Sequence, residues 1–215
     1  NNEYQSQSPY NYGNFSISTI MLSSAFSSNS LEYSAAFERM KENRLIVANR
    51  LATARGIDIN DPNNLDKEGF PIGYSKGSQE VLLPSFLAAY TGKGAGKVST
   101  SMFRDIPLPN WNLRYTGLMR IPWIKSKFRR FSIHHGYTAT YALGSFSSNF
   151  EYYEKPNEVN QYGNYPAQTV VNNAILTEQF NPLIRFDLET NSAIKILAEI
   201  RKDRTLALSF DNNLL

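Results

Sequence analysis

From residue 131 to 145 large side chains alternate with small or polar ones without a break. Phe131, Ile133, His135, Tyr137, Ala139, Tyr141 and Leu143 fall in one phase, and Ser132, His134, Gly136, Thr138, Thr140, Ala142 and Gly144 in the other. Successive strand side chains point to opposite faces, so this period of two predicts a long strand with one apolar and one polar surface. Residues 184–190 and 193–201 repeat the pattern with charge in the polar phase. Ile184, Phe186 and Leu188 alternate with Arg185, Asp187 and Glu189. Ile194, Ile196, Ala198 and Ile200 alternate with Lys195, Leu197, Glu199 and Arg201. The turn residues 190–192 join the two as a hairpin.

Other segments follow different periods. Residues 14–22 and 112–121 alternate as strands, and 174–180 (leading into 183–190) and 204–210 complete the β set. Residues 31–55 predict an amphipathic helix with Phe37, Met40, Val47, Ala48 and Leu51 at helical spacing. Ser30 is its expected N-cap and Gly56 its left-handed stop. Residues 78–90 predict a second, more apolar helix, kinked or started by Pro84. The stretches 60–77 and 155–169, dense in Asn, Pro and Gly, read as irregular loops.

Two architectures satisfy such faces: a transmembrane barrel wall, or a soluble sheet with one wet side. The long strand, at 128–146, exceeds the roughly 9–11 residues that a barrel strand needs, so part of it is expected to project beyond a bilayer. Composition narrows other classes. The 215 residues contain no cysteine, which excludes disulfides and thiolate metal sites. A balance of 22 basic and 19 acidic residues, net +3, does not argue for nucleic acid. No apolar run is long enough for a transmembrane helix. The chain begins Asn-Asn-Glu-Tyr without a basic or apolar leader and stops just after a strand-like run. It is therefore expected to be a piece of a longer protein.

Candidate chemistry is sparse. In residues 92–97 (GKGAGK) three residues separate Gly92 from Gly96, and Val98 follows Lys97. A phosphate-binding loop needs four residues there and a Ser or Thr after the Lys, so a flexible basic turn is expected. Adjacent His134 and His135 face opposite sides of a strand and cannot share a metal. Asp187, Glu189 and Glu199 could form an acid–base pair, but their alternation with Arg185, Lys195 and Arg201 favours cross-strand ion pairs. Neither an enzyme nor a cofactor is expected.

Several runs carry a more specific signal, in order along the chain. They are residues 81–93 (VLLPSFLAAYTGK), 105–118 (DIPLPNWNLRYTGL), 131–141 (FSIHHGYTATY), 179–187 (QFNPLIRFD) and 201–209 (RKDRTLALS), with the helix around Glu42, Asn43, Arg44 and Asn49, Arg50, Leu51. Together they resemble the SprA/Sov family of gliding-motility and secretion proteins, the outer-membrane translocon of the Bacteroidetes type 9 secretion system. The resemblance spans roughly residues 15–215. It implies a single-chain antiparallel barrel of about 36 strands, through whose pore folded cargo proteins pass. A lateral opening, a plug and other secretion-system subunits as partners belong to the same implication.

On that resemblance the chain is a segment, mainly β with helical insertions, of a very large antiparallel transmembrane β-barrel at the outer membrane and cell surface. Its expected parts are a linker (1–13), a strand with a two-helix insertion (14–97) and barrel strands (98–215). Lipid is expected to meet Leu113, Tyr115, Met119, Ile133, Tyr137, Tyr141, Leu143, Ile184, Phe186, Leu188, Ile196 and Ile200. The pore is expected to meet Arg114, Arg120, Thr138, Thr140, Arg185, Asp187, Glu189, Glu199 and Arg201. The alternatives are a soluble or cell-surface β-rich binding module and a TonB-dependent uptake barrel.

Overall fold

A computed structural model describes residues 10–27 and 34–210. Its frame is a 21-residue strand, β3 (Phe128–Ser148), which at about 3.3 Å per residue is on the order of 70 Å long. The 22-residue β4 (Thr169–Thr190) pairs antiparallel along one edge of β3, and β5 (Lys195–Ser209) pairs with β4. The other edge of β3 is shared by two shorter strands, β1 (Tyr12–Ser18) and β2 (Trp111–Tyr115). β1 covers residues 140–147 and β2 covers 133–137, so the two lie end to end. At the junction Thr19 donates its backbone N–H to Ala139, and the Asn110 side chain accepts from the Ala139 N–H at 3.1 Å. The result is an open, antiparallel, five-stranded sheet that does not close on itself.

Everything between β1 and β2 leaves the sheet at that junction and returns to it. A single helical turn, α1 (Leu22–Ala25), precedes α2 (Ala35–Ala54) and α3 (Gln79–Thr91). Ser34, not Ser30, caps α2 by accepting from the Phe37 N–H, while Ser30 lies outside the described residues. Gly56 adopts φ +86°, the left-handed stop expected of it. Met40, Val47 and Ala48 are buried as their spacing predicts, but Phe37 stands exposed one turn from the cap. Pro84 lies inside α3 and does not start it, and every residue from Val81 to Tyr90 is buried. Helix α3 is buried on all sides because it sits between α2 and the sheet. Each of its large apolar side chains contributes about 1.5–3 kcal/mol of transfer free energy.

The loop 60–77 is irregular yet fixed. Gly73 (φ +92°) bridges to Asn164, and a Cβ there would lie 2.0 Å from the Tyr165 ring, so only glycine lets this loop dock on the β3–β4 connection. Residues 92–98 form the expected turn, held by Arg50, whose guanidinium donates to the carbonyls of Ala95 and Val98.

Three β expectations change. The strand expected over 14–22 runs instead from Tyr12 to Ser18, and Leu22 already opens α1. Residues 193–210 are not two strands but the single β5, because Lys202 and Asp203 stay in register opposite Phe180 and Gln179. The strand expected over 112–121 ends at Tyr115 and passes into a 3-10 turn, Gly117–Arg120, and a short helix, α4 (Pro122–Lys127). Met119 and Arg120 therefore lie on no sheet face. The Tyr115 ring folds over Gly117, where a Cβ would come within 2.4 Å of the phenol, and Pro122 has no N–H for a ladder.

Candidate functional site

The sheet has a waist where its two halves take different partners. Between the pairs His134–Arg185 and Thr138–Gln179, five residues of β4 (180–184) face three of β3 (135–137). Two extra residues preserve the phase, so each face keeps its identity through the bulge. His135 is explained here: its Nδ1 lies 2.7 Å from the Leu183 carbonyl, which can only accept, so the ring donates to the bulged strand. Gly136 faces the bulge from the other side, where a Cβ would lie 2.5 Å from the Asn181 carbonyl oxygen. Gly136→Ala should therefore cost about 1–3 kcal/mol in a denaturation titration, since backbone cannot yield as a side chain does. An unchanged midpoint would mean that the bulge is soft.

Above the waist the apolar face is roofed. Tyr137, Tyr141 and Leu143 lie on the apolar face as the alternation predicts, but they are not placed to meet lipid as expected; each is 1% exposed beneath the helical layer. The Tyr141 hydroxyl donates to the Met102 carbonyl at 2.9 Å. Tyr137 belongs to a buried polar knot that the periodicity did not reveal. Its hydroxyl donates to Glu178 Oε1 (2.8 Å) and accepts from the Met21 N–H (2.8 Å). Arg204 Nε reaches Glu178 Oε2 at 2.6 Å, and its other nitrogens reach the Met21 and Ser24 carbonyls and Ser24 Oγ. Glu178 is fully buried, and Glu178 and Arg204 occupy the apolar phase of paired strands. That displaced phase was the available signal: Glu178 interrupts Ala174, Leu176 and Phe180, and Arg204 precedes Leu206 and Leu208.

Below the waist the same face has no roof among the described residues. Tyr115, Ile133, Phe186 and Ala198 form one transverse row, with Leu113, Ile184, Ile200, Leu188 and Ile196 in the rows beside it. Leu113, Tyr115 and Ile200 are 56%, 57% and 58% exposed. Ile133, Ile184, Phe186 and Leu188 are half-buried by their neighbours in the sheet.

The opposite face is mainly polar, interrupted by one apolar row of Ala142, Ile175 and Ala207. Ser18, Thr140, Thr177 and Thr205 make a hydroxyl row across four strands, and Thr138 stands beside Gln179. Below the waist the row is Arg114, His134, Arg185 and Glu199. Asp187 Oδ2 lies 3.0 Å from His134 Nε2 and 3.4 Å from Arg185, while Glu199 contacts Arg185 at 3.9 Å and pairs closely with Arg201. Arg129 and Arg130 both reach Glu189, at 3.6 and 3.4 Å, because a bulge opposite Thr190 turns them to one side. Leu197 is a further apolar residue on this face, and it is exposed.

Ser132, His134 and Asp187 invite comparison with a nucleophile relay. Ser132 Oγ sits 3.1 Å from Nε2, the same ring nitrogen that contacts Asp187. A relay needs the hydroxyl and the carboxylate on opposite nitrogens, so this trio is a hydrogen-bonded cluster without relay geometry. Among the described residues no group of three or more His, Asp or Glu could hold a metal, and no helix is long and apolar enough to cross a membrane. The fold and these surfaces define an open antiparallel β-sheet with a helical layer over half of one face. No protein-family model matches the chain, and no curated protein matches it.

Proposed function

We propose that the chain is a wall segment of an outer-membrane protein-conducting β-barrel, the translocon of the type 9 secretion system that its motifs resemble. One observation carries this reading. Below the waist the sheet bares an apolar face and backs it with a charged one, while above the waist the same apolar face is covered by the chain's own helices. A bilayer explains the difference, because acyl chains replace the helices as cover. Residues 128–136 of β3 match the roughly 9–11 residues that a tilted barrel strand needs to cross. The hydroxyl and charge rows then line an aqueous path for secreted cargo proteins. The outer edges of β1, β2 and β5, unpaired among the described residues, pair with further strands of the wall.

A soluble or cell-surface binding module is the second reading, favoured by the helical layer itself, which gives half the sheet an ordinary two-layer core. Fractionation separates them. The intact protein should sediment with outer membranes, resist carbonate extraction and require detergent. Recovery in the soluble fraction without detergent would overturn the barrel reading in favour of the module.

A further inference from the structure

We propose that the connection between β2 and β3 is an interfacial anchor that seats this rim of the sheet on anionic phospholipid headgroups, an inference that rests on the barrel reading. Between Asp105 and Glu151 the chain holds six Lys and Arg residues and no Asp or Glu. Four of them, Lys125, Lys127, Arg129 and Arg130, crowd into six positions beside Trp123. Trp123 is 65% exposed, and Ile121 beside it is 37% exposed.

The fold fixes where this segment sits. The Asn191 side chain donates to the Ser126 carbonyl (2.8 Å) and its backbone N–H to the Lys127 carbonyl, so α4 is pinned at the β4–β5 turn. That is the rim at which the bare apolar band ends. Glu189 is shared by two arginines, and Arg120, Lys125 and Lys127 have no carboxylate partner among the described residues. The rim therefore carries uncompensated positive charge next to an indole, whose amphipathic ring favours headgroup depth. The β4–β5 turn here is tight, and the long helical excursions lie beyond the waist. Bacterial barrels keep short turns on the periplasmic side, which places the anchor on the periplasmic leaflet.

The test uses the 215-residue chain with vesicles of phosphatidylcholine, with and without phosphatidylglycerol. Partitioning should prefer the anionic vesicles and weaken as salt rises. Brominated phosphatidylglycerol should quench Trp123 at shallow depth, read as the difference between the native chain and Trp123→Phe. The triple variant Arg120→Gln, Lys125→Gln, Lys127→Gln removes no ion pair seen in the fold and should lower anionic partitioning by about 100-fold. Equal binding to neutral vesicles overturns the anchor, as does an unaffected triple variant, displacement by inorganic phosphate, or preferential capture of single-stranded RNA. If the anionic preference fails while the protein still resists carbonate, the anchor falls and the barrel stands. If carbonate strips a chain that binds anionic vesicles through Trp123, the barrel wall falls and a peripheral anchor remains.

Discussion

Replacing Glu178 by alanine should destabilise the fold by about 3–5 kcal/mol, the cost of leaving a buried charge without its partner. Arg204 would keep its bonds to the Met21 and Ser24 carbonyls but lose the carboxylate 2.6 Å away. The Tyr137 hydroxyl would lose its acceptor at the same time. Because the knot ties α1 to β3, β4 and β5, the loss should be local as well as global. Hydrogen exchange at residues 21–26 should accelerate before the rest of the sheet responds. The pair Glu178→Leu with Arg204→Met should recover part of the stability, since apolar replacement removes both charges together. Recovery stays incomplete because the Met21 and Ser24 carbonyls lose their donor. A cost under about 1 kcal/mol for the alanine variant would place Glu178 in the class of solvent-screened pairs and refute the knot.

Arginine at Phe186 or at Ile196 should cost about 2–4 kcal/mol if these positions lie near the bilayer midplane. Both belong to the bare half of the apolar face, Phe186 opposite Ile133 and Ile196 opposite Leu188. The same change at Thr138, on the polar face, should be mild. Assembly and secretion by the intact protein measure both. Normal secretion with Phe186→Arg and Ile196→Arg together would mean that this face meets no lipid. A soluble sheet would also resist arginine at half-buried Phe186, so exposed Ile196 is the sharper arm. In water an arginine there costs little, and only a bilayer makes it expensive.

Much of the local structure was legible. Period-two alternation predicted β3, the β4–β5 hairpin and the separation of faces, and helical spacing with Gly56 predicted α2. The expected cross-strand ion pairs form only in part. Glu199 meets Arg185 and Glu189 meets Arg130 across the sheet. Asp187–Arg185 and Glu199–Arg201 instead pair within one strand, and Lys195 forms no ion pair among the described residues. Other features depended on residues far away in sequence. Phe37 fits the apolar stripe of α2 yet remains exposed, because α3 covers only part of that helix. Met119 and Arg120 fit an alternation that ends once Tyr115 folds over Gly117. His135 had no local explanation until the β4 bulge supplied the Leu183 carbonyl.

By itself the sequence determined which side of each strand is apolar, because alternation is written residue by residue into a backbone of period two. It did not determine what covers that side. Ile133, Tyr137 and Tyr141 share one phase of one strand, yet Tyr137 and Tyr141 lie under helices while Ile133 belongs to the half that the helices leave bare. Only the tertiary structure decided this, through the point at which residues 19–110 leave and rejoin the edge of β3 and through the buried charges that hold them down.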